Sequence, residues 1–320
     1  MNLFVTSACT CKCIMCGVWR QGANYISDET FNDTVEVLES LGFYNFSLTG
    51  GEPLLHPKYF DYMKYLDRRG LYTNSPTNGT LLNEKNVSRL REANVDSIFV
   101  SIDSLKAETA GFIRHYPDQL SKALNGLKLL KKHGIPRAAI LVLSNYNIDD
   151  YVRMITELDE KYDAPSILCF PDWGVGPLDK ILGHPLDVNG SLIPAIDRNK
   201  LIRLVDDLID LKKRGYRLFN ATEYLLDVKR TYLGEPRRIT CYGGYHVLNV
   251  DWNGNVTACF NKKTPLCHVT HLADAPLVKD PCFQCLNQCF VELSYVAENM
   301  ARKRFWTVLD DWSTIFKTLH

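Results

Sequence analysis

Short apolar runs alternate with stripes of 3.6-residue period through the first half of the chain, which predicts strands and helices in turn around a parallel sheet. Residues 3–6 open as a strand. Asp28 then caps a helix whose apolar face carries Phe31, Val35 and Leu38, and Gly42 stops it. Residues 43–48 are the second strand. A helix over 57–69, a strand over 71–76, the turn Thr77-Asn78-Gly79 and a helix over 83–93 follow. Residues 97–103 are the cleanest strand, apolar until its polar end. The stripe Leu120, Ala123, Leu124, Leu127 and Leu130 is closed by His133-Gly134-Ile135-Pro136. A fifth strand covers 139–143, Tyr151, Met154, Ile155 and Leu158 stripe the next helix, and 166–170 is a sixth strand. Six such repeats, with polar or glycine-rich residues at the strand ends, predict a partial (β/α)6 TIM-like barrel with its chemistry at the C-terminal rim.

After residue 170 the pattern changes. Pro171-Asp172-Trp173-Gly174-Val175-Gly176-Pro177 begins a loop running to about 190, which reads either as a solvated connection or as a lid over the rim. Leu201, Leu204, Val205, Leu208 and Leu211 stripe a helix that ends near Gly215, and a shorter one spans 222–232. From Cys241 the chain becomes a small cysteine-rich hairpin module, with strands over 247–252 and 256–260 joined at Asn253-Gly254-Asn255. A final helix carries Val308, Leu309, Trp312, Ile315, Phe316 and Leu319 as packing positions. The expected organisation is α/β: barrel core 1–170, connecting helical segment and substrate loop 171–240, cysteine module 241–292, and C-terminal helix 293–320.

Length and charge narrow the partners. The chain has 320 residues, with Lys plus Arg and Asp plus Glu each 37, so no net charge steers it toward nucleic acid or an anionic membrane. No signal sequence follows Met1 and no apolar run approaches a membrane span; the expectation is a cytoplasmic protein. In a reducing compartment eleven cysteines read as metal ligands or reactive thiols before they read as disulfides.

Four of them fall in eight residues, Cys9-Thr10-Cys11-Lys12-Cys13-Ile14-Met15-Cys16, too close together for unstrained disulfides. Thiolates around a metal or an iron–sulfur cluster explain the spacing better. With Cys9, Cys13 and Cys16 as ligands, a four-iron cluster lacks one protein ligand and keeps an iron open. Choosing Cys11 as the middle ligand would leave four residues before Cys16, so spacing favours Cys13 and leaves Cys11 a bystander.

Cys9-x3-Cys13-x2-Cys16 after the first strand, Gly50-Gly51-Glu52-Pro53 after the second and Ser101-Ile102-Asp103 ending the fourth together resemble the radical S-adenosylmethionine superfamily. The resemblance covers roughly residues 1–170. It implies a [4Fe–4S] cluster whose open iron chelates S-adenosylmethionine, reductive cleavage of that molecule to a 5′-deoxyadenosyl radical, and an external one-electron donor such as flavodoxin or ferredoxin. It assigns Gly50 and Gly51 to close backbone approach, Glu52 and Pro53 to the same cofactor-binding turn with Glu52 receiving the methionyl ammonium, and Ser101 and Asp103 to the ribose hydroxyls. Met15 falls where the family packs an apolar residue near the adenine. Asn78, Arg114 and Asn145 are further pocket candidates by position.

The second cysteine group, Cys241, Gly254, Cys259 and then Cys282-x2-Cys285-x3-Cys289, resembles the SPASM and Twitch extensions of that superfamily. It has too few cysteines for the full SPASM pattern. One auxiliary [4Fe–4S] cluster on Cys241, Cys259, Cys282 and Cys285 is the expectation, with Cys289 able to replace one ligand. Four thiolates from a hairpin and a Cys-x2-Cys turn are also a structural zinc set. Cys169, Cys267 and Cys289 remain as candidate hydrogen-atom donors, against the plainer reading of small buried hydrophobes. His268 and His271 read as loop residues.

The expected activity is hydrogen abstraction from a polar small molecule of sugar or aminocyclitol type, leading to dehydrogenation or epimerisation. A peptide- or protein-modifying enzyme is the alternative, and a non-catalytic zinc scaffold a third reading of another class.

Overall fold

The computed structural model describes residues 1–169, 197–260, 262, 264–275, 277–278, 280–283 and 285–301. The expected loop over 171–190 and the stripe from Val308 to Leu319 lie outside these residues. Six parallel strands, β1 (Asn2–Thr6), β2 (Asn45–Gly50), β3 (Tyr72–Thr77), β4 (Ser97–Ser101), β5 (Arg137–Val142) and β6 (Ser166–Cys169), lie side by side in chain order. Helices α1 (Asp28–Ser40), α2 (Tyr59–Arg68), α3 (Glu84–Glu92), α4 (Ala107–Arg114), α5 (Gln119–Lys132) and α6 (Tyr151–Tyr162) connect them. All strand C-termini therefore open on one rim.

Helix α1 starts one residue earlier than its sequence signal. Ser27, rather than Asp28, is the cap, its hydroxyl accepting from the Thr30 N–H at 3.0 Å. Asp28 is the first helical residue, and its carboxylate accepts from Lys58 and, at 2.9 Å, from the Tyr62 hydroxyl. Helix α4 has no counterpart in the apolar pattern. Its eight residues bury Ala110, Ile113 and Arg114, too few apolar positions to show a stripe.

Two further helices, α7 (Arg198–Lys213) and α8 (Thr222–Leu233), pack on each other beyond β6. The chain between them pairs in parallel with β6 at Ser166 and Leu218. The cysteine-rich hairpin, β7 (Asn249–Val250), β8 (Asn255–Thr257) and β9 (Cys267–His268), continues the sheet from its other end, because β7 pairs with β1 at Asn2↔Asn249 and Leu3↔Val250. The order is β6-β5-β4-β3-β2-β1-β7-β8-β9. Helix α9 (Gln288–Ala301) spans the opening between the two ends. At one side its Phe290 meets Phe260 edge to face at 5.1 Å. At the other its Glu292 receives hydrogen bonds from the Ala221 N–H and, at 3.1 Å, from Asn220 Nδ2.

Apolar burial supplies the bulk of the core. Tyr59, Tyr151, Tyr224, Phe31, Phe46 and Phe290 are its largest fully buried side chains. Two of the phenols keep a partner inside, Tyr151 donating to Leu141 O at 2.8 Å and Tyr224 to Leu286 O at 2.7 Å, which offsets the penalty of taking a hydroxyl out of water.

Candidate active site

The cysteine loop leaves β1 at the rim and is held from both flanks. On one side Lys12 N donates to Arg114 O at 3.1 Å and Ile14 N to Ile113 O at 3.0 Å, both carbonyls at the C-terminal end of α4. On the other, Gly51 N donates to Thr6 O and Glu52 N to Ala8 O, each at 2.7 Å. This contact explains the two glycines. A Cβ on Gly50 would fall 2.0 Å from Thr6 O, at a φ of +145°, and one on Gly51 would fall 2.2 Å from Ala8 O. The close approach they permit is between the turn after β2 and the cysteine loop itself.

Glu52 is fully buried. One carboxylate oxygen accepts from the Thr77 hydroxyl at 2.8 Å and from Leu54 N at 3.3 Å, and the other from Asn78 N at 2.8 Å. Burial pushes its pKa up to about 7 against those hydrogen bonds. The side chain thus ties the end of β2 to the end of β3. Pro53 is buried and opens the short turn Pro53–Leu55.

The three motif sulfurs differ in what approaches them. Cys9 Sγ receives Cys11 N at 3.4 Å and Asn78 Nδ2 at 3.6 Å. Cys16 is met by the backbone N–H groups of Val18 and Trp19. Cys13 Sγ has Arg114 Nη1 at 3.6 Å. Burial raises the Cys9 thiol to about 12 and the Cys16 thiol to about 11, and the Cys13 sulfur contributes to both shifts, which puts the three within electrostatic reach of one another. Cys13 moves the other way, its thiolate favoured by a hydrogen bond from the Cys11 thiol and by the Arg114 charge. Cys11, expected as a bystander, is fully buried against that sulfur.

Arg114 and Asp103 form a buried ion pair, Nε to Oδ2 at 2.5 Å. The second Asp103 oxygen accepts from Val142 N at 3.2 Å. Burial opposes the Arg114 charge, but Asp103 and Cys13 outweigh it and hold the guanidinium pKa above its ordinary value. Asn78 also donates to Thr10 Oγ1 at 2.9 Å and accepts from Thr80. Met15 is buried in the core cluster, and Ser101 is half-buried with its carbonyl accepting from Gln119 Nε2 at 2.9 Å.

Some candidates are not gathered here. Asn145 is exposed; the buried asparagine of its loop is Asn147, which donates to Asp103 O at 2.9 Å and Val142 O at 2.8 Å. Cys267 lies on the outermost strand β9, opposite Val256. Cys169 and Cys289 lie within electrostatic reach of one another: burial lifts the Cys169 thiol well above its ordinary pKa, helped by Cys289, Glu292 and Asp103. Residues that the sequence reading passed over, Gln119, Asn147 and Glu292, brace the rim. Gln119 joins the ends of β3 and β4 by donating to Asn78 O at 2.7 Å as well as to Ser101 O. A buried polar residue in a helix, as Gln119 and Glu292 are, or in a loop, as Asn147 is, leaves no periodic signal, so only the fold reveals them.

In the hairpin, Cys241 and Cys282 exchange backbone hydrogen bonds at 3.1 and 3.0 Å. Burial, then the Cys282 and Cys259 thiols, raise the Cys241 pKa, which places these three sulfurs in one electrostatic neighbourhood. Gly254 turns the hairpin at a φ of +81°, where a Cβ would meet His268 Nε2 at 2.4 Å. His268 itself is engaged by Asn253 O and Thr270 Oγ1. Among the described residues no three His, Cys, Asp or Glu side chains converge closely enough for a single metal ion.

Residues 3–158 match the Radical SAM superfamily. They are a radical SAM domain. Such domains hold a [4Fe–4S] cluster and S-adenosylmethionine, and the donor set fits: Cys9, Cys13 and Cys16 are thiols of one loop within electrostatic reach of one another, with hydrogen-bond donors already at each sulfur. An AdoMet-dependent heme synthase of Methanosarcina barkeri is 30% identical over 152 residues, covering 47% of this chain and 44% of that protein. A PqqA peptide cyclase of Granulibacter bethesdensis is 28% identical over 155 residues, covering 47% and 41%. The matched stretch thus spans less than half the length of these curated relatives. Among solved structures, anSMEcpe with bound AdoMet superposes with a TM-score of 0.64 at 17% identity, covering 99% of this chain and 98% of its own. Streptococcus suis SuiB bound to its precursor peptide SuiA gives 0.64 at 14% identity, covering 92% and 63%. At those identities the likeness is one of fold, and it extends over the radical SAM partial barrel into the cysteine-bearing C-terminal part. No helix of the described residues is long and apolar enough to cross a membrane.

Proposed function

We propose that this chain is a radical SAM enzyme that abstracts a hydrogen atom from a carbon of a polar small molecule, of sugar or aminocyclitol type, and oxidises or epimerises that carbon. Cys9, Cys13 and Cys16 hold the cluster, and Glu52, Asn78, Ser101, Asp103 and Arg114 form the wall on which S-adenosylmethionine lies. The bound pair supplies a 5′-deoxyadenosyl radical on one-electron reduction by a flavodoxin- or ferredoxin-type donor. Cys241, Cys259, Cys282 and Cys285 hold one auxiliary [4Fe–4S] cluster.

The observation that carries this reading is the Cys169 thiol at the rim end of β6, buried and within electrostatic reach of Cys289, Asp103 and Arg114, where helix α9 packs on that strand. A thiol so placed can return hydrogen to a substrate carbon, which is the chemistry epimerisation needs. Peptide modification is the second reading, supported by the likeness of fold to SuiB bound to its precursor peptide and to anSMEcpe bound to a peptide.

The test is anaerobic assay of the reconstituted full chain with a reductant and S-adenosylmethionine, counting 5′-deoxyadenosine. Wild type forms it and the Cys9→Ala, Cys13→Ala and Cys16→Ala variants do not. A panel of aminocyclitols, sugars and cysteine- or serine-bearing peptides is then scored for stimulation of that product. Stimulation by a peptide alone sinks the small-molecule reading. In D2O, solvent deuterium on the product carbon, lost in Cys169→Ala or Cys289→Ala, marks the thiol-return branch; its absence leaves oxidation.

A further inference from the structure

Hydrogen bonds to cluster sulfurs are one of the levers that set an iron–sulfur potential, and a charged donor acts more strongly than a neutral one. The three motif sulfurs are not treated alike in this respect. Cys9 is approached by the Cys11 amide and the Asn78 carboxamide, and Cys16 by the amides of Val18 and Trp19, all neutral. Cys13 is approached by a guanidinium, with Arg114 Nη1 at 3.6 Å.

That guanidinium is built into place. Its side chain is 9% exposed, its Nε is clamped by Asp103 at 2.5 Å, and Asp103 is 1% exposed and braced by Val142 N. Its own carbonyl accepts from Lys12 N, so Arg114 grips the cysteine loop twice, once by backbone and once by charge. A buried cation beside a thiolate is an expensive arrangement unless it does something the backbone contact does not. Reduction adds negative charge to a centre already surrounded by thiolates, and a fixed cation stabilises that added charge. Asp103 sits on the far side of the guanidinium and attenuates the effect.

We infer that Arg114, held by Asp103, is a positioning residue for the cluster that donates to the Cys13 thiolate and raises the reduction potential of the [4Fe–4S] centre. This rests on the assignment of Cys9, Cys13 and Cys16 as its ligands. It goes beyond a place in the S-adenosylmethionine pocket, since the effect exists before that molecule binds.

The experiment is a reductive titration of the reconstituted full chain followed by electron paramagnetic resonance, without S-adenosylmethionine so that altered cofactor binding cannot contribute. Iron content is measured alongside. Arg114→Gln keeps the backbone bond to Lys12 and removes the charge. The expected result is a wild-type iron load with a midpoint more negative by at least a tenfold change in the reduced-to-oxidised ratio, about 59 mV for one electron. Arg114→Lys should recover part of the shift. If Arg114→Gln fails to load iron, Asp103→Asn decides: it keeps the cation, removes its counter-charge and should move the midpoint positive. An unchanged midpoint in loaded Arg114→Gln, or in Asp103→Asn where that variant decides, overturns the role. Cys13→Ala serves as the control on the premise. If it carries the wild-type iron load and spectrum, the ligand assignment is what has failed; if it loses about half of the iron together with the signal of that cluster, a negative result belongs to Arg114 alone.

Discussion

A carboxylate whose burial outweighs its hydrogen bonds and the nearest cation holds its proton more tightly in the folded chain than in the unfolded one, and two such groups, Glu52 within reach of Arg114 and Glu292 within reach of Lys212, sit at this rim. Glu292, like Glu52, is pushed by burial from an ordinary 4.5 to about 7, despite hydrogen bonds from Gln288, Ala221 and Asn220. The sign follows from proton binding: between about pH 4.5 and 7 the native state holds the extra proton, so stability is greatest at the acid end and falls as pH rises through that window. For one group the full swing is about 3 kcal/mol. Urea midpoints of the apo chain should therefore decline from pH 4.5 to 7, and Glu292→Gln should flatten the slope; an unaltered slope would show that Glu292 titrates normally. None of this is readable from the sequence, where Glu292 looks like any helical glutamate. The same scale shows why Gly50 and Gly51 were legible as glycines that permit close approach, while the atoms approached, Thr6 O and Ala8 O, were not. Asn145 and Asn147 differ by two positions in a loop without period, and only tertiary contacts decide which one is buried.

Elements with a strong period were read well and those without one were not. The stripes of α1, α5, α6 and α7 locate each helix to within a few residues, and the six barrel strands fall close to where they were predicted, whereas the expected strand over 247–252 is only Asn249–Val250 and β9, where His268 had read as a loop residue, was not anticipated. Boundaries shifted where a cap decides them, as at Ser27. Helix α4 escaped because eight residues are too few to show a stripe, and the start of α9 because its first turn carries Cys289, which reads with the cysteine module. Helix α9 matters more than its weak signal suggests. By reaching Phe260 on the hairpin side and Ala221 beyond β6, it closes the open barrel with one element. Phe290, 1% exposed, is its anchor. Truncating it to alanine should cost about 3–5 kcal/mol in urea unfolding, whereas Leu293→Ala, at a position 41% exposed on the same helix, should stay within about 0.5 kcal/mol. A loss below about 1 kcal/mol for Phe290→Ala would mean that α9 merely rests on the opening.

At the scale of the molecule, the sequence presented a barrel and a separate cysteine module, and the structure joins them through β1. The motif loop leaves the C-terminal end of β1, while its N-terminal end pairs with β7, with Asn2 N donating to Leu248 O at 2.8 Å and Asn2 Nδ2 to Asn249 Oδ1 at 2.9 Å. Phe4 of the same strand meets Phe260 at 6.0 Å. A pairing of strands some 240 residues apart cannot be read from local pattern. Its consequence is that the two thiol sets share one support. Removing the hairpin set with Cys241→Ala and Cys282→Ala together should lower iron from about eight to about four per chain and speed amide exchange in β1, because β7 loses the cluster that pins it. The first cluster should remain, so 5′-deoxyadenosine should still form while substrate turnover falls. Unchanged iron in the double variant would rule out an auxiliary cluster on these cysteines. Loss of all iron would show instead that the motif loop depends on the hairpin for its folding, a stronger linkage through β1 than two backbone register pairs alone would supply.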